Sequence, residues 1–536
     1  MNKVLSNSLL VLAIALLIVN CANRGTPSGG EKDMLPPEII RSEPKNFSTN
    51  FNSTEIKIYF NEYIKIKDLS KQLIISPPMN TPPEITPLGT ASKYITIKIY
   101  DTLAPNTTYA FNFGNSIVDN NEGNPFPYFK YVMSTGTYID SLKVTGTILD
   151  AEKKTPENFV SVALYEVDST FTDSIIYKQK PKYVTNTLDS LTTFSIENLK
   201  AGKYLLVAMK DNNQDFKFQQ KTDKIGFYDT LIEVPTDTSY VLKLFQEDLD
   251  FKAFKPRLIS EGKIAFGYEG DYKNMSIDLL TETPDDYAYT ITKDEKTDSL
   301  MYWYKPKLES DSLQFRVSYK QQVRDTFDLK ITEKNQDTLV LKGVPSGQIN
   351  FNETFYLTAT TPFSLINKDL ISITDKDTLA VAFNTALDTL NNTLRFEFEK
   401  TESNKYFIDL LPEAITDFFG DTNDTLQMRL QTKAFDDYGN ARIILKNAQY
   451  PIIVQLTNEK GDVKAEKYST EPEPLDFTYL SNGKYLLRVI FDTNGNKKYD
   501  TGNYLKKQQP ERISYYPKPI DVRVGWDVVE EFTLVD

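Results

Sequence analysis

Short runs of alternating apolar and polar residues recur along the chain. Ile56-Lys57-Ile58-Tyr59-Phe60 is one, and Tyr94-Ile95-Thr96-Ile97-Lys98-Ile99 is another. A period of two places every second side chain on one face of an extended strand, so these runs predict antiparallel strands with one buried face. Past the first twenty residues, the chain carries no sustained 3.6-residue apolar stripe of the kind an amphipathic helix needs. Turn residues interrupt the runs at the spacing of sandwich strands. The pattern predicts an all-β chain of tandem β-sandwich modules.

Two pairs of segments repeat. Gly202-Lys203-Tyr204-Leu205-Leu206 and Gly483-Lys484-Tyr485-Leu486-Leu487 are identical, and each runs into an Asp/Asn-rich turn, Asp211–Asp215 and Asp492–Asn496. A looser pair joins Tyr109–Phe113, Ile117-Val118-Asp119 and Met133-Ser134-Thr135 to Tyr406–Leu410, Ala414–Asp417 and Leu430-Gln431-Thr432. The order is module A, module B, spacer, module A, module B. Such repetition predicts beads on a string, each with its own small core.

The N-terminus reads as a targeting segment. After Lys3, Leu9 to Val19 forms an apolar run, shorter than the roughly 20 residues a spanning helix requires and suited to a signal-peptide core. Ile18-Val19-Asn20-Cys21 follows, and it resembles a bacterial lipobox, although Asn20 stands where a small residue is usual. The resemblance implies that residues 1–20 are removed and that Cys21 is acylated, tying the chain to a membrane. Several acyl chains hold stably where one is marginal. Residues 21–36 are rich in Gly, Pro, Ser and charge and read as a flexible tether. Ala22 is not the aspartate of the inner-membrane retention pattern, which implies the outer membrane, on either its periplasmic or its extracellular face.

Residues 37–137 resemble a bacterial Ig-like domain of the SbsA type. The likeness rests on Pro36-Pro37, the strand Ile56–Phe60, Leu103–Tyr109, Ile117-Val118-Asp119 with Gly123-Asn124, and Ser134-Thr135-Gly136. Residues 138–246 resemble a carboxypeptidase-regulatory, transthyretin-like sandwich through Val144–Ile148, Val160–Tyr165, Phe194–Leu199 and Gly202–Leu206. Residues 435–536 resemble a second such sandwich, and 342–434 a degenerate Ig-like module. Residues 247–341 are β-rich spacer without an assigned family. The whole is similar to Ig-like-domain lipoproteins of Bacteroidota, which implies a fold and a place but no activity.

Composition narrows the chemistry. The 536 residues include no histidine and one cysteine. Histidine general bases, Ser–His–Asp or Cys–His nucleophile systems, His-ligated zinc and internal disulfides are therefore excluded. A net charge of −13 gives no basic field for nucleic acid. The 74 acidic residues will fall near one another by chance, and no pair has a context that marks an acid–base couple. The expectation is no enzyme and no catalytic residue.

Three further features are candidates for chemistry. Asp492, Asn494, Asn496 and Asp500 occupy loop positions 1, 3, 5 and 9, the spacing at which EF-hand-like loops present oxygens to calcium, the one candidate cofactor. Asn503 replaces the usual bidentate glutamate and Lys497 the usual glycine, and the alternative is a turn in which Asp and Asn bond their own backbone. Asp-(Ser/Thr)-(Leu/Ile) occurs eleven times, where ordinary usage gives on the order of one. It is similar to the O-glycosylation sequon of Bacteroidota, which implies Thr102, Ser141, Ser174, Ser190, Thr230, Ser299, Ser312, Thr338, Thr378, Thr389 and Thr425 as acceptors. The competing reading is a turn ended by Asp-Thr and a strand begun by Leu. Tyr302-Trp303-Tyr304 reads either as a strand alternating between core and surface or as an aromatic platform for a sugar, and Trp526 reads as core.

The expected function is that of a non-catalytic, lipid-anchored outer-membrane scaffold that docks on other outer-membrane or periplasmic proteins. The rival is a glycan-binding surface lipoprotein.

Overall fold

The computed structural model describes residues 33–188 and 192–534. Among the described residues nearly all regular structure is strand, and the α-helices are two four-residue turns, Leu69–Gln72 and Ile175–Lys178. Among the described residues no helix is long and apolar enough to cross a membrane.

The first sandwich shows how the alternation works. Strand Glu55–Ile66 lies between Ile39–Glu43 and Ser92–Lys98, with Glu84–Thr86 at the far edge. Ile56, Ile58 and Phe60 are buried and meet Ile95 and Ile97 of the neighbouring strand, while Lys57 and Tyr59 turn outward. A second sheet, Ile74–Ser76, Thr108–Asn112 and Lys130–Ser134, closes the core with Phe111, Tyr131 and Met133. Each such side chain is worth about 1.5–3 kcal/mol on burial, so the sheets hold together through this layer. The turn after Ile117–Asp119 is fixed by one carboxylate. Asp119 Oδ1 accepts the N–H groups of Asn121, Glu122 and Gly123, and Oδ2 accepts that of Asn124.

Residues 341–431 repeat this topology. Leu341–Val344, Phe355–Ala359, Thr393–Phe398 and Phe383–Asp388 form one sheet in that order. Ile371–Thr374, Lys405–Leu410 and Leu426–Gln431 form the other, joined at its edge by Gly347–Gln348. The single long strand of the first sandwich is here broken into Phe355–Ala359 and Phe363–Ile366, with Pro362 between them. Proline has no N–H for the ladder, which accounts for the break.

The other repeated pair also shares its topology. In residues 142–244 the sheet order is Tyr183–Asn186, Ser161–Glu166, Gly202–Lys210, Lys224–Phe227; in residues 439–533 it is Val463–Ser469, Ile452–Thr457, Gly483–Phe491, Ile513–Tyr515. In both, the last strand pairs in parallel with the first, Ser239–Leu244 on Leu142–Asp150 and Asp527–Thr533 on Gly439–Lys446. Between the pairs, residues 252–330 form two sheets around Phe266, Tyr302 and Phe315.

The expectation of separate beads needs correction. Each sandwich has its own core, but a further cluster is shared between distant parts of the chain. Neighbours also touch. Lys130 pairs with Glu197 at 2.8 Å, Trp303 meets Phe419 edge-on at 6.1 Å, and Phe351 packs on Phe435 and Tyr479 at 4.7 and 4.9 Å. With the contact between residues 142–244 and 439–533 described below, the chain after the first sandwich closes on itself.

Candidate functional site

The shared cluster marks the candidate site, the contact between the two repeated sandwiches of residues 142–244 and 439–533. Its foundation is visible in one strand. Tyr204-Leu205-Leu206-Val207-Ala208-Met209 is apolar at every position, and all six are buried. Tyr204, Leu206 and Ala208 face their own sandwich core. Leu205, Val207 and Met209 face the opposite way, against Ile176 and Phe218, and need a cover. A strand with two apolar faces is a strand buried on both sides.

The cover includes a long loop of the other copy. Tyr504 is 0% exposed and packs edge-on against Phe227 at 5.4 Å. Its hydroxyl donates to the Asp173 carbonyl at 3.0 Å, and its backbone N–H donates to Glu247 Oε1. Around it, Thr501 Oγ1 donates to the Gln246 carbonyl at 2.6 Å, Gln509 Nε2 reaches the Phe227 carbonyl and Asp229, and Lys507 pairs with Asp173 at 2.6 Å. Gly502 permits the approach, since a Cβ there would lie 2.6 Å from the Phe245 ring. On the adjoining edge, Arg488 Nη1 and the Tyr515 hydroxyl both donate to the Glu152 carbonyl. Burial pushes the Glu152, Glu247 and Tyr504 groups up, the two carboxyls being partly offset by neighbouring cations and donors.

The loop that sends out Tyr504 also carries the candidate calcium residues. Asp492 Oδ1 accepts the Asn496 N–H and Oδ2 the Lys497 N–H. Asp500 Oδ2 accepts the side-chain amides of Asn494 and Asn496, while its Oδ1 pairs with Lys498 at 3.1 Å. Glu511, which the spacing argument passed over, braces the loop by accepting from Thr493 and from the Asp500 N–H. The oxygens brought together are thus bonded to groups of the loop itself. Among the described residues no three Asp or Glu gather as a metal-holding group.

Cys21, the segment before it and Ser190 lie outside the described residues. Of the remaining sequon hydroxyls, Thr102, Ser141, Thr230, Ser312, Thr338, Thr378, Thr389 and Thr425 are exposed and Ser174 is half-buried. Ser299 differs. It is buried in the strand Ser299–Lys305 opposite Gly267 and is not presented to solvent. Sequon leucines open the strands at Leu142 and Leu426, as the turn reading expects.

The aromatic triplet is core. Tyr302 is 1% exposed, and Trp303 and Tyr304 are buried too. Tyr302 faces Phe266 and Phe315, and Trp303 Nε1 donates to Thr292 Oγ1 at 2.9 Å on the other side. No sugar platform exists at this triplet. Trp526 corrects the opposite way. The sequence pattern places it in the core, but it is 52% exposed, in the turn before Asp527–Thr533, with the Arg523 guanidinium 5.0 Å from its ring.

Fold and contacts define a protein of tandem β-sandwiches in which two distant modules are docked. Residues 33–135 match the profile of a family described as bacterial Ig-like domain. Several solved structures are similar over long stretches. The surface-layer protein SbsC, domains 1–6, is 12% identical, with 91% of this chain and 67% of that one covered and a TM-score of 0.17. SGBP-B of the Bacteroides ovatus mixed-linkage glucan utilization locus, solved with a mixed-linkage heptasaccharide, is 13% identical over 72% and 91%, with a TM-score of 0.19. The Escherichia coli adhesin FdeC is 8% identical over 61% and 93%, with a TM-score of 0.14. A comparison with curated proteins finds no match.

Proposed function

We propose that this is a non-catalytic, lipid-anchored scaffold of the outer membrane of a Bacteroidota-type bacterium, displaying Ig-like and transthyretin-like sandwiches to other envelope proteins. The observation that carries the reading is Cys21, the chain's single cysteine, placed directly after the apolar run Leu9–Val19. The module boundaries read from the sequence, 37–137, 138–246, 247–341, 342–434 and 435–536, belong to the same proposal. The docked copies support it, because a chain closed on itself offers a stiff surface rather than a loose string. The exposed sequon hydroxyls support O-glycosylation at several of the eight exposed sites, and Ser299 is left out.

Changing Cys21 to Ala in the native host tests the anchor. The expected result is release from the membrane fraction; retention there would refute acylation at Cys21. Crosslinking of the membrane-bound protein followed by mass spectrometry tests the docking role. Co-isolation of defined envelope proteins is expected, and recovery of the protein alone counts against it. Intact mass of the same sample reads glycosylation.

A further inference from the structure

We infer that the outer face of the sheet built from Lys405–Leu410, Leu426–Gln431 and Gly347–Gln348 binds an acidic oligosaccharide, with a uronate-type sugar as the ligand class. This site is separate from the anchor and from the docked copies, and it needs neither reading to be right.

The alternation of two strands builds the face. Tyr406, Ile408 and Leu430 point into the core, so Lys405, Phe407, Arg429 and Gln431 point outward. Pairing sets Phe407 opposite Arg429 and Lys405 opposite Gln431, and the parallel edge strand adds Gln348 beside Gln431. Together with Lys433 these residues line a groove of about 640 Å³, within the size range of small-ligand sites.

Three properties point to the ligand. First, Lys405, Arg429 and Lys433 make no ion pair among the described residues, and Asp437 is the one carboxylate lining the groove. Asp437 already accepts the Ala434 N–H at 3.1 Å. Further along the face, Asp409 is held by the Gln427 amide at 2.7 Å. A cluster of three cations on a chain of net charge −13 is a local reversal of sign that favours a carboxylate-bearing ligand. Second, the Arg429 guanidinium is 5.5 Å from the Phe407 ring centre. The ring and Gln427 Oε1, which accepts from Arg429 Nη2 at 3.4 Å, hold the guanidinium on this face with further N–H groups left to meet a carboxylate, and the half-exposed ring offers an apolar surface to sugar C–H groups. Third, the side-chain amides of Gln348 and Gln431 make no hydrogen bond among the described residues. Amides both donate and accept, which suits the several hydroxyls that each sugar ring carries; a polyglutamate chain offers them only its backbone amides.

The test is calorimetric titration of the full-length protein with trigalacturonate, its methyl ester and polyglutamate. Trigalacturonate should bind, weaken with added salt, and outbind both controls. Lys405→Gln and Arg429→Gln should each weaken it roughly tenfold, the scale of a lost charge-assisted bond. Both side chains are exposed, so the melting temperature of each variant should match the parent. Phe407→Leu keeps an apolar residue but removes the ring surface offered to the sugar, and should weaken trigalacturonate more than polyglutamate, which loses only the support of the Arg429 fork. No binding of trigalacturonate, equal binding of its methyl ester or of polyglutamate, or undiminished binding by the Lys405 and Arg429 variants would overturn the proposal.

Discussion

The strands Gly202–Lys210 and Gly483–Phe491 begin with the same five residues and both run into an aspartate, yet they build different surroundings. The sixth residue separates them. Val207 stands in the first copy and Arg488 in the equivalent place of the second. Val207 is buried in the shared cluster; Arg488 donates to Gln455 Oε1 at 2.6 Å and reaches the Glu152 carbonyl. The loops diverge in the same sense. Residues 211–223 return Phe218 to their own sandwich, whereas the longer 492–512 sends Tyr504 into the other copy. One copy therefore supplies an apolar socket and the other an aromatic plug. A duplicated module becomes an interface when one copy turns its outer sheet face apolar and the other lengthens one loop.

The largest expected effect comes from removing the plug. Tyr504→Ala strips a fully buried ring from the shared cluster, a loss on the scale of 3–5 kcal/mol for a buried aromatic, and leaves the core around Ile452, Val454 and Val489 intact. The expected outcome is a full-length protein whose two copies separate: a larger radius of gyration by X-ray scattering and faster amide exchange at 205–209, with 452–456 still protected. Unchanged exchange at 205–209 would mean that Tyr504 does not hold the contact. Gly502→Ala is the next step down. Its Cβ would sit 2.6 Å from Phe245 and 2.8 Å from the Gln508 carbonyl, an overpacking of about 1–3 kcal/mol. Gly483→Ala, whose Cβ meets nothing nearer than 4.0 Å, is the control and should leave scattering and melting unchanged.

The aspartates that open the two loops sharpen the comparison further. Asp211 accepts from Asn213, Gln214 and Phe216, and Asp492 from Asn496 and Lys497. Truncation of either to Ala abandons these N–H groups at a cost of roughly 1–3 kcal/mol. The readouts differ. Asp211→Ala should loosen only residues 211–223, whereas Asp492→Ala should loosen 492–512 and, through Tyr504, expose 205–209 as well. Exchange that stays local in both variants would show that the second loop does not carry the contact.

Much of this was legible in the sequence and part was not, for identifiable reasons. Alternation at Ile56–Phe60 and the pentapeptide repeat were enough for strands, sandwiches and the paired copies, because both depend on local periodicity. The docking depends on which face of a strand meets a residue some 300 positions away, and no local period encodes that. A signal was nevertheless present. Tyr204–Met209 lacks the polar alternate positions of a strand with one wet face, so a second cover was required. Trp526 departs from the usual burial of large aromatics because it caps a turn and shields the Arg523 guanidinium. The candidate loop Asp492–Asp500 showed its oxygen spacing in sequence, but not that Asn494, Asn496 and Lys498 would turn onto Asp500 itself.

The smallest effect is a divergence in acid, and it tests whether the two loops differ electrostatically as well as in length. Burial pushes the Asp211 carboxyl up, and the N–H donors of Phe216 and Gln214 offset this only in part. Burial also opposes ionisation at Asp500, but there the amides of Asn494 and Asn496 together with Lys498 win, and its carboxyl is lowered. A raised carboxyl favours the fold when protonated. Its contribution is full below the unfolded value, near 3.9, and is lost as pH rises through the folded value. A lowered carboxyl contributes above about 3.9 and loses its contribution as pH falls through the folded value. Acidification from neutrality toward about 4 should therefore steady residues 211–223, and with them the Glu247 contact to Tyr504, since Glu247 is also raised by burial. Over the same span the amides of 494–500 should hold constant, and they should loosen only below about 4, as Asp500 takes up its proton. Amide exchange corrected for intrinsic pH dependence reads both loops in one sample. Parallel movement of the two would mean that their carboxylates sit in equivalent surroundings, and that the copies differ by loop length and by the Val207–Arg488 exchange alone.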